Sequence, residues 1–268
     1  MRFLFWNLNH HDIPGFVHTL AREHDVDILI LAECVTKTAK FLEELNSELP
    51  HYELAHGNCG AITCFTRFNA DFLKPVFESN RISIRSLTLP GREPILLAAA
   101  HLPSKIGFSD DSQFIESFHL SRVIDEAETR EGHARTILVG DLNMNPFEMG
   151  MVAARGGLNA AMYPGIVRRG NRTVQGEKCK FFYNPMWSHF GGRAGAPGTF
   201  FYESGEAVCY FWNMFDQVLL RPDLLKGFAH EHVRILTEVH GVSLLLNDGR
   251  PDKEMASDHL PVLLELDF

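Results

Sequence analysis

The sequence of residues 136–143 is TILVGDLN. Its first four residues have the length and apolar character of a short buried strand, and Gly140, Asp141, Leu142 and Asn143 follow at once. A single acid at the end of an apolar strand is usually solvated or part of a turn, since burying an unpaired charge costs several kcal/mol. This stretch therefore predicts either a polar turn or one corner of a functional site.

Other apolar stretches of the chain end in the same way. The residues at these strand ends are Asn7 and Asn9, Glu33, His101, Asp141 and Asn143, with Asp216 at the head of a strand and Ser257, Asp258 and His259 just before the last one. One such residue is easily accidental, but six such sites are not. In layered α/β folds ligand sites collect at strand ends, so we expect these groups to meet at one rim.

The spacing of apolar residues predicts an α/β fold. Strands are expected at residues 2–6, 27–32, 53–56, 61–67, 81–89, 94–101, 136–139, 216–220 and 261–266, and helices at 14–24, 36–49 and 111–130. The last helix is expected to bury Phe114, Ile115, Phe118, Val123 and Ile124. We predict a single domain over 1–268, with two mixed β-sheets covered by helices and a loop-rich insertion at about 156–212.

Composition excludes several classes of protein. The chain has 268 residues, of which 45% are apolar and 22% charged, and its mean hydropathy is −0.08. These values exclude disordered, collagen-like and coiled-coil proteins. No apolar run approaches the ~20 residues of a membrane span, and the first strand is too short for a secretory signal. Five scattered cysteines without a CxxC pair predict reduced thiols, and we expect a cytoplasmic protein.

Charge is distributed unevenly along the chain. The net charge of −9 counts against a polyanionic partner. Residues 166–193, however, carry a local +5, which leaves −14 for the remainder. The basic residues of this stretch are Arg168, Arg169, Arg172, Lys178, Lys180 and Arg193, and they alternate with the aromatic residues Phe181, Phe182, Tyr183, Trp187 and Phe190.

Two interpretations of the basic and aromatic stretch stay open. Aromatic rings stack on bases and basic side chains follow phosphates, which is how single-stranded nucleic acid is held without sequence readout. On that interpretation Arg168, Arg169, Arg172 and Trp187 bind substrate. On the other, the aromatic residues form a small local core under a long loop and the basic residues are merely solvated.

The polar residues at the strand ends indicate phosphate ester hydrolysis. Glu33 and Asp258, with an amide oxygen of Asn7 or Asn9, form the hard, oxygen-rich site that Mg²⁺ prefers. The sequence contains no Zn²⁺-binding motif, because His and Cys never occur together at ligand spacing. His101 and His259 are able to donate to phosphoryl oxygens or to take a proton from water. Asp216 would orient one of these histidines, and Asp141 would orient or deprotonate the attacking water.

At these residues the chain resembles the endonuclease/exonuclease/phosphatase superfamily, which includes deoxyribonuclease I, abasic endonucleases, sphingomyelinases and inositol-polyphosphate 5-phosphatases. The motifs that carry the resemblance are, in chain order, WNLN at 6–9, LAE at 31–33, AHL at 100–102, GDLN at 140–143, FDQVL at 215–219 and SDHLPV at 257–262. Each motif is weak by itself, but together, in order and over nearly the whole chain, they are specific.

The resemblance implies a deoxyribonuclease I-like, four-layered α/β sandwich and hydrolysis dependent on Mg²⁺ or Mn²⁺. Carried over to this sequence, it makes Glu33 the metal ligand, helped by Asn7 and Asp258. The implied catalytic residues are His101, Asp141, Asn143, Asp216 and His259. Asn9, an expected substrate contact, departs from the family pattern because several nucleases carry Asp there. A neutral side chain reduces the negative charge of the site, so a second metal ion is not predicted.

Three classes of function remain for the sequence. The first is a metal-dependent phosphodiesterase, or nuclease, that hydrolyses DNA or RNA by in-line attack of an activated water. The second is a phosphatase or phosphodiesterase on inositol phosphates, phospholipid head groups or another small phosphorylated metabolite, which would use the same catalytic residues. The third, a non-catalytic binding module, is disfavoured because it has no chemical need for all five of Glu33, Asp141, Asn143, Asp258 and His259.

Overall fold

The structure is a computed structural model that describes residues 1–105, 107–192 and 195–268. Arg193, one of the basic residues counted above, lies outside the described residues. The strands are, in chain order, β1 Arg2–Asn7, β2 Ile28–Ala32, β3 Glu53–Leu54, β4 Ile62–Thr66, β5 Leu73–Glu78, β6 Ile82–Leu87, β7 Ile95–His101, β8 Thr136–Asp141, β9 Ala160–Ala161, β10 Asn171–Val174, β11 Glu177–Lys180, β12 Phe182–Tyr183, β13 Phe200–Tyr202, β14 Phe211–Asn213, β15 Asp216–Leu220, β16 Val233–Ile235, β17 Glu238–Val239, β18 Val242–Ser243 and β19 Val262–Glu265.

The helices are fewer and mostly short. The α-helices are α1 Pro14–Glu23, α2 Thr38–Leu45, α3 Asp110–Glu131, α4 Met149–Val152 and α5 Pro164–Val167, and 3-10 turns occupy Ala70–Phe72, Pro185–Ser188, Pro222–Lys226 and His230–His232. No α-helix formed by the described residues combines the length and the apolar character that a bilayer crossing requires. The five cysteines are free thiols.

Two large mixed sheets form the centre of the fold, as the sequence predicted. The first has the strand order β16-β19-β1-β2-β4-β3, and the second β5-β6-β7-β8-β15-β12-β9. Within them β1 runs parallel to β2, and β7 runs parallel to β8. Most other pairs are antiparallel, which agrees with the helix-free run expected between residues 52 and 101.

The core has the four layers predicted for the α/β fold. Phe3 and Phe5 of β1 pack against side chains of β7, β8 and β15 in a cluster between the two sheets. On the outer face of the first sheet, Leu4 and Trp6 pack against α1 and α2. On the outer face of the second sheet, Leu96 and Leu138 pack against α3. Because β2 is covered on both faces, all five of its residues are buried.

The buried face predicted for α3 was partly wrong. Ile115 and Phe118 are 64% and 52% exposed. The helix instead turns a face toward the sheet that carries Gln113, Ser117, Leu120, Val123, Ile124, Ala127 and Glu128. Polar residues are tolerated on that face because each has an internal partner; Glu128, for example, accepts a 2.7 Å hydrogen bond from Arg221.

Two further differences concern the two edges of the second sheet. Strand β5 was not predicted, because Lys74 and Pro75 interrupt its apolar pattern; such residues are tolerated on an edge strand, which β5 is. Within the predicted insertion at 156–212, β9 and β12 extend this sheet, while β10 and β11 form a separate hairpin.

Candidate active site

Strand pairing brings the predicted polar residues to one rim. His101 and Asp141 are register partners at the carboxyl ends of the parallel strands β7 and β8. Asp216 begins β15 opposite Asp141, since β15 is antiparallel to β8. In the other sheet, Asn7 and Ala32 are partners at the carboxyl ends of β1 and β2, and Glu33 follows Ala32. Both sheets therefore contribute side chains to the same rim.

Contacts between side chains connect the two sheets at this rim. Glu33 Oε1 lies 3.3 Å from His101 Nε2, and His101 Nε2 lies 3.7 Å from Asp141 Oδ2. Asn7 Nδ2 donates a 3.0 Å hydrogen bond to the same Asp141 oxygen. The residues of the first sheet therefore lie within a few ångströms of the carboxylate that ends β8.

His259 lies between carboxylates. Its Nδ1 is 2.8 Å from Asp216 Oδ2, and its Nε2 is 3.9 Å from both Asp141 Oδ2 and Asp258 Oδ1. Burial alone lowers the pKa of His259, but the charges of Asp216 and Asp141 outweigh it and raise this pKa to about 10. The ring is therefore an imidazolium at neutral pH, with Nδ1–H donating to Asp216 and Nε2–H directed at the rim.

Asp141 is buried at the centre of the cluster. Its Oδ1 accepts a 2.9 Å hydrogen bond from the backbone N–H of Asn143. Burial raises the pKa of this carboxyl group, while His259 and His101 act in the opposite direction. Burial also raises the pKa of Asp258, and the nearby carboxylates of Asp216 and Glu33 raise it further. The rim thus concentrates negative charge in a partly desolvated place.

Backbone strain is concentrated at the rim. Glu33, Asn143, Asn9 and His10 have φ values of 52°, 50°, 46° and 59°, in the left-handed region. Asn143 Nδ2 donates to the carbonyl of Leu102 at 2.9 Å, and the N–H of Asn9 donates to Asn7 Oδ1 at 3.0 Å. Non-glycine residues in this conformation cost about 1–2 kcal/mol each, so the surrounding contacts hold them in place.

The structure gives contacts at the rim to residues for which the sequence predicted no role. His10, in the loop after β1, has its Nε2 3.2 Å from Glu33 Oε2, although its side chain is 67% exposed. Trp6 Nε1 donates to the carbonyl of His259 at 2.9 Å. Ser257 Oγ donates to the carbonyl of Asn7 at 2.7 Å and accepts from the N–H of His259 at 3.1 Å. The signal that could have found Trp6 is its indole N–H, which needs a partner inside an otherwise apolar strand.

Among the described residues, one group of two acids and a histidine at the rim lies close enough together to hold a cation. Asp141, Asp216 and His259 each place a ligand atom within 4.8 Å of the others. Because Nδ1 of His259 is bonded to Asp216, these three are better described as an imidazolium with its counter-ions. Asp258 Oδ1 is buried without a hydrogen-bond partner among the described residues, and such an oxygen is costly unless an ion or water satisfies it. A hard cation beside this oxygen would satisfy it, since carboxylate oxygens are the ligands that such ions prefer.

The structure does not bring the predicted basic residues to this rim. Arg172 Nε donates to Asn159 Oδ1 at 2.8 Å, and Asn159 in turn donates to the carbonyl of Lys180. Lys180 Nζ contacts Glu128 at 2.7 Å, and Glu128 accepts from Thr136, the first residue of β8. Asp141 is the last residue of that strand, and it therefore lies about 16 Å from Thr136 at ~3.3 Å per residue.

Of the other predicted substrate contacts, Asn9 lies at the rim, whereas Arg168 and Arg169 do not. The exposed Arg168 and Arg169 follow α5, which packs against the 3-10 turn Pro222–Lys226 beyond the far end of β15. The sequence could not predict this location of Arg168 and Arg169, because a count of charges does not show at which end of a sheet a loop lies. Trp187 is half-buried and packs on Phe147, with 6.3 Å between ring centroids.

Two open cavities adjoin the rim. One, of about 550 Å³, reaches Asn143 and is lined by Phe200, Tyr202, Tyr210 and Phe215. The other, of about 810 Å³, reaches Asp258 and is lined by Phe201, Tyr202, Arg250 and Lys253. The ring of Phe200 lies 4.7 Å from that of His259. If a phosphate binds at the rim, the parts of the substrate on either side of it therefore have room in these two cavities.

Comparisons with known proteins agree with the fold and with the motifs. A profile of the Endonuclease/Exonuclease/phosphatase family matches residues 4–259. No curated protein sequence matches the chain.

Several solved structures are similar to the whole chain. Truncated Caenorhabditis elegans TDP2 is 15% identical, with 98% of this chain and 95% of that chain covered and a TM-score of 0.58. D. rerio TDP2 complexed with single-strand DNA product is 16% identical, with 100% and 99% covered and a TM-score of 0.57. A variant of the 3′ phosphatase NExo from Neisseria, bound to product DNA hairpin, is 18% identical, with 100% of both chains covered and a TM-score of 0.55.

Proposed function

Because the chain belongs to the Endonuclease/Exonuclease/phosphatase family, we propose that it hydrolyses phosphodiester bonds of nucleic acid with the help of a divalent cation, Mg²⁺ or Mn²⁺. The observation that carries the proposal is the cluster at the rim, in which carboxylates and imidazoles from both sheets are linked by contacts of 3.9 Å or less. A phosphoric ester is the substrate that such a set of acids, imidazoles and hard ligands suits.

Glu33, Asp258 and Asn7 would hold the cation. Their oxygens suit Mg²⁺ or Mn²⁺, and Asn7 Oδ1 keeps a second lone pair beside the one that accepts from Asn9. When bound, the ion would polarise a phosphoryl oxygen and offset the negative charge of the transition state.

Asp141 is the proposed acceptor of the proton from the attacking water. One of its oxygens is held by the N–H of Asn143 and the other by Asn7 Nδ2, so the carboxylate cannot rotate freely. Burial raises its pKa, which makes it a stronger base than an exposed aspartate. Its position between His101 and His259 orients it toward the place where a phosphoryl group would lie.

His259 is the proposed donor to the phosphoryl group. The Asp216 carboxylate fixes the ring through Nδ1, and this leaves Nε2–H free to donate to a phosphoryl oxygen and to stabilise charge there. His101 lies on the Glu33 side of the rim and would donate to a second oxygen. Asn143 uses one amide hydrogen on Leu102, so its other amide hydrogen is available to the phosphate.

Nucleic acid is the proposed substrate for two reasons. The two cavities beside the rim are lined by aromatic side chains, on which bases stack. In addition, two of the similar structures hold DNA.

The test is a hydrolysis assay of the purified chain and two variants. The substrates are single-stranded DNA, duplex DNA, RNA, bis(4-nitrophenyl) phosphate, inositol phosphates and phospholipids, each with Mg²⁺, Mn²⁺ or EDTA. We expect cation-dependent cleavage of nucleic acid, and losses of at least about 100-fold in kcat for Asp141→Asn and His259→Ala.

Matched controls for this assay lie away from the rim. Asp223→Asn and His51→Ala change residues of the same types outside the cluster, and both should retain the parent activity. If Asp141→Asn and His259→Ala each stay within about twofold of the parent on every ester, the site assignment is wrong. Preferential hydrolysis of inositol phosphates or phospholipids would replace nucleic acid with a small phosphate ester as the substrate.

A further inference from the structure

The cavity beside Asp258 carries an arginine that is fixed on two sides. Arg250 donates from Nε and Nη2 to Asp248 Oδ2, at 2.8 and 2.5 Å. Its guanidinium also lies over the ring of Phe201, 5.5 Å from the centroid. The Phe201 ring in turn packs edge-on against Trp212, with 5.6 Å between centroids. Arg250 is therefore a planar cation whose orientation is set by neighbours, although its side chain is 45% exposed.

A second cation lines the same cavity. Lys253 is exposed, and within the described residues it forms no ion pair. In the other cavity, by contrast, Lys105 is already paired with Glu148 at 2.5 Å. Of the cations that line the two cavities, Arg250 and Lys105 thus have carboxylate partners and Lys253 has none among the described residues, while Glu203 also lines the Asp258 side.

We infer that this cavity binds the nucleotide next to the scissile phosphate, with its base stacked on Arg250 and its own phosphate attracted by Lys253. Guanidinium planes and aromatic rings are the surfaces on which unpaired bases stack. Asp248 bonds one edge of the guanidinium and Phe201 lies beside it, and the exposed 45% of the side chain leaves surface for a base. The inference rests on the proposed function, because it makes the substrate an oligonucleotide chain rather than an isolated phosphate ester.

Binding without cleavage tests the inference. Fluorescence anisotropy in EDTA would measure the affinity for a short labelled single-stranded oligonucleotide and for an abasic oligomer of the same length. We expect Arg250→Ala and Arg250→Lys to weaken binding of the oligonucleotide about tenfold, the loss of one stacked base, and to leave the abasic oligomer nearly unchanged. Lys253→Ala should weaken both ligands, since it acts on the phosphate.

The matched control is Arg92→Ala. Arg92 also lies over a phenylalanine ring, that of Phe268, at 5.5 Å, but it precedes β7 at the end opposite His101, so its replacement should change neither affinity. The inference is overturned if Arg250→Ala binds the oligonucleotide as the parent does, or loses equal affinity for both ligands. Thermal melting of each variant verifies that it is folded.

Hydrolysis of bis(4-nitrophenyl) phosphate separates this inference from the proposed function. That diester has no adjacent nucleotide, so Arg250→Ala should hydrolyse it as the parent does. Absence of hydrolysis by the parent, together with Arg250-dependent binding, would refute the proposed catalysis alone. Hydrolysis by the parent, together with oligonucleotide binding that does not depend on Arg250, would refute the inference alone.

Discussion

The charge of His259 depends on the residues that surround it. Asp216 and Asp141 raise its pKa to about 10 despite burial, whereas an unfolded histidine titrates near about 6.5. The sequence predicted that Asp216 orients one of the two histidines, His101 or His259. It could not predict that Trp6 and Ser257 fix the backbone of His259, because a sequence pattern does not show which distant backbone groups will meet.

The pairing of His259 with Asp216 predicts a dependence of stability on pH. Because the pKa of His259 is raised on folding, its contribution to the free energy of unfolding is complete below about pH 6.5 and is lost as pH rises through about 10. In Asp216→Asn the imidazolium lacks its nearest counter-charge, so the variant should lose less stability than the parent between about pH 7 and about pH 10. Urea unfolding in EDTA at several pH values measures the free energy of unfolding of both proteins. Parallel plots of this free energy against pH would contradict the prediction.

At the level of elements, the close approach of β7 and β8 fixes the rim. A Cβ atom on Gly140 would lie 1.9 Å from the carbonyl oxygen of Ala100. That oxygen belongs to the backbone of a central strand, so it cannot move without separating the strands. Gly140 therefore keeps His101 and Asp141 in register.

Gly140→Ala should accordingly be destabilising. Forcing a methyl group into this space is expected to cost about 3 kcal/mol and to reduce hydrolysis in the fraction that remains folded. Gly15→Ala in α1 is the control, because its Cβ would meet only Glu44 Oε1 at an ordinary 3.6 Å. Chemical denaturation measures both variants, and equal stabilities would show that the strands can separate freely.

The elements also show what the sequence could and could not predict. Strands buried on both faces, such as β2 and β8, were found because their apolar runs are continuous. The orientation of α3 was not found, because Gln113, Ser117 and Glu128 interrupt its buried face and Ile115 adds an apolar residue to the exposed one. Apolar periodicity fails where buried polar groups have partners within the fold.

At the scale of the whole molecule, the basic residues and the rim lie at opposite ends of the second sheet. Arg172 is linked through Asn159, Lys180 and Glu128 to the start of β8, about 16 Å from Asp141 at ~3.3 Å per residue. A duplex spaces its phosphates ~3.4 Å apart along each strand. The two ends of β8 are therefore about five nucleotides of a duplex strand apart.

Replacing Arg168, Arg169 and Arg172 together with alanine should thus affect only long nucleic acids. Binding of a long polynucleotide should weaken, and the slope of log affinity against log salt should fall by about one for each phosphate that is no longer neutralised. Hydrolysis of bis(4-nitrophenyl) phosphate and binding of a very short oligonucleotide should not change. Equal effects on short and long ligands would indicate that these arginines act at the rim.

The rim is shared between two sheets that come from different parts of the chain. One sheet combines β1 to β4 with β16 and β19, while the middle of the chain forms the other. During synthesis on the ribosome, Glu33 and Asp141 are made long before Asp258 and His259. On the proposed function, the growing polypeptide would therefore lack part of its catalytic cluster until its last motif has emerged and joined the residues of the two sheets.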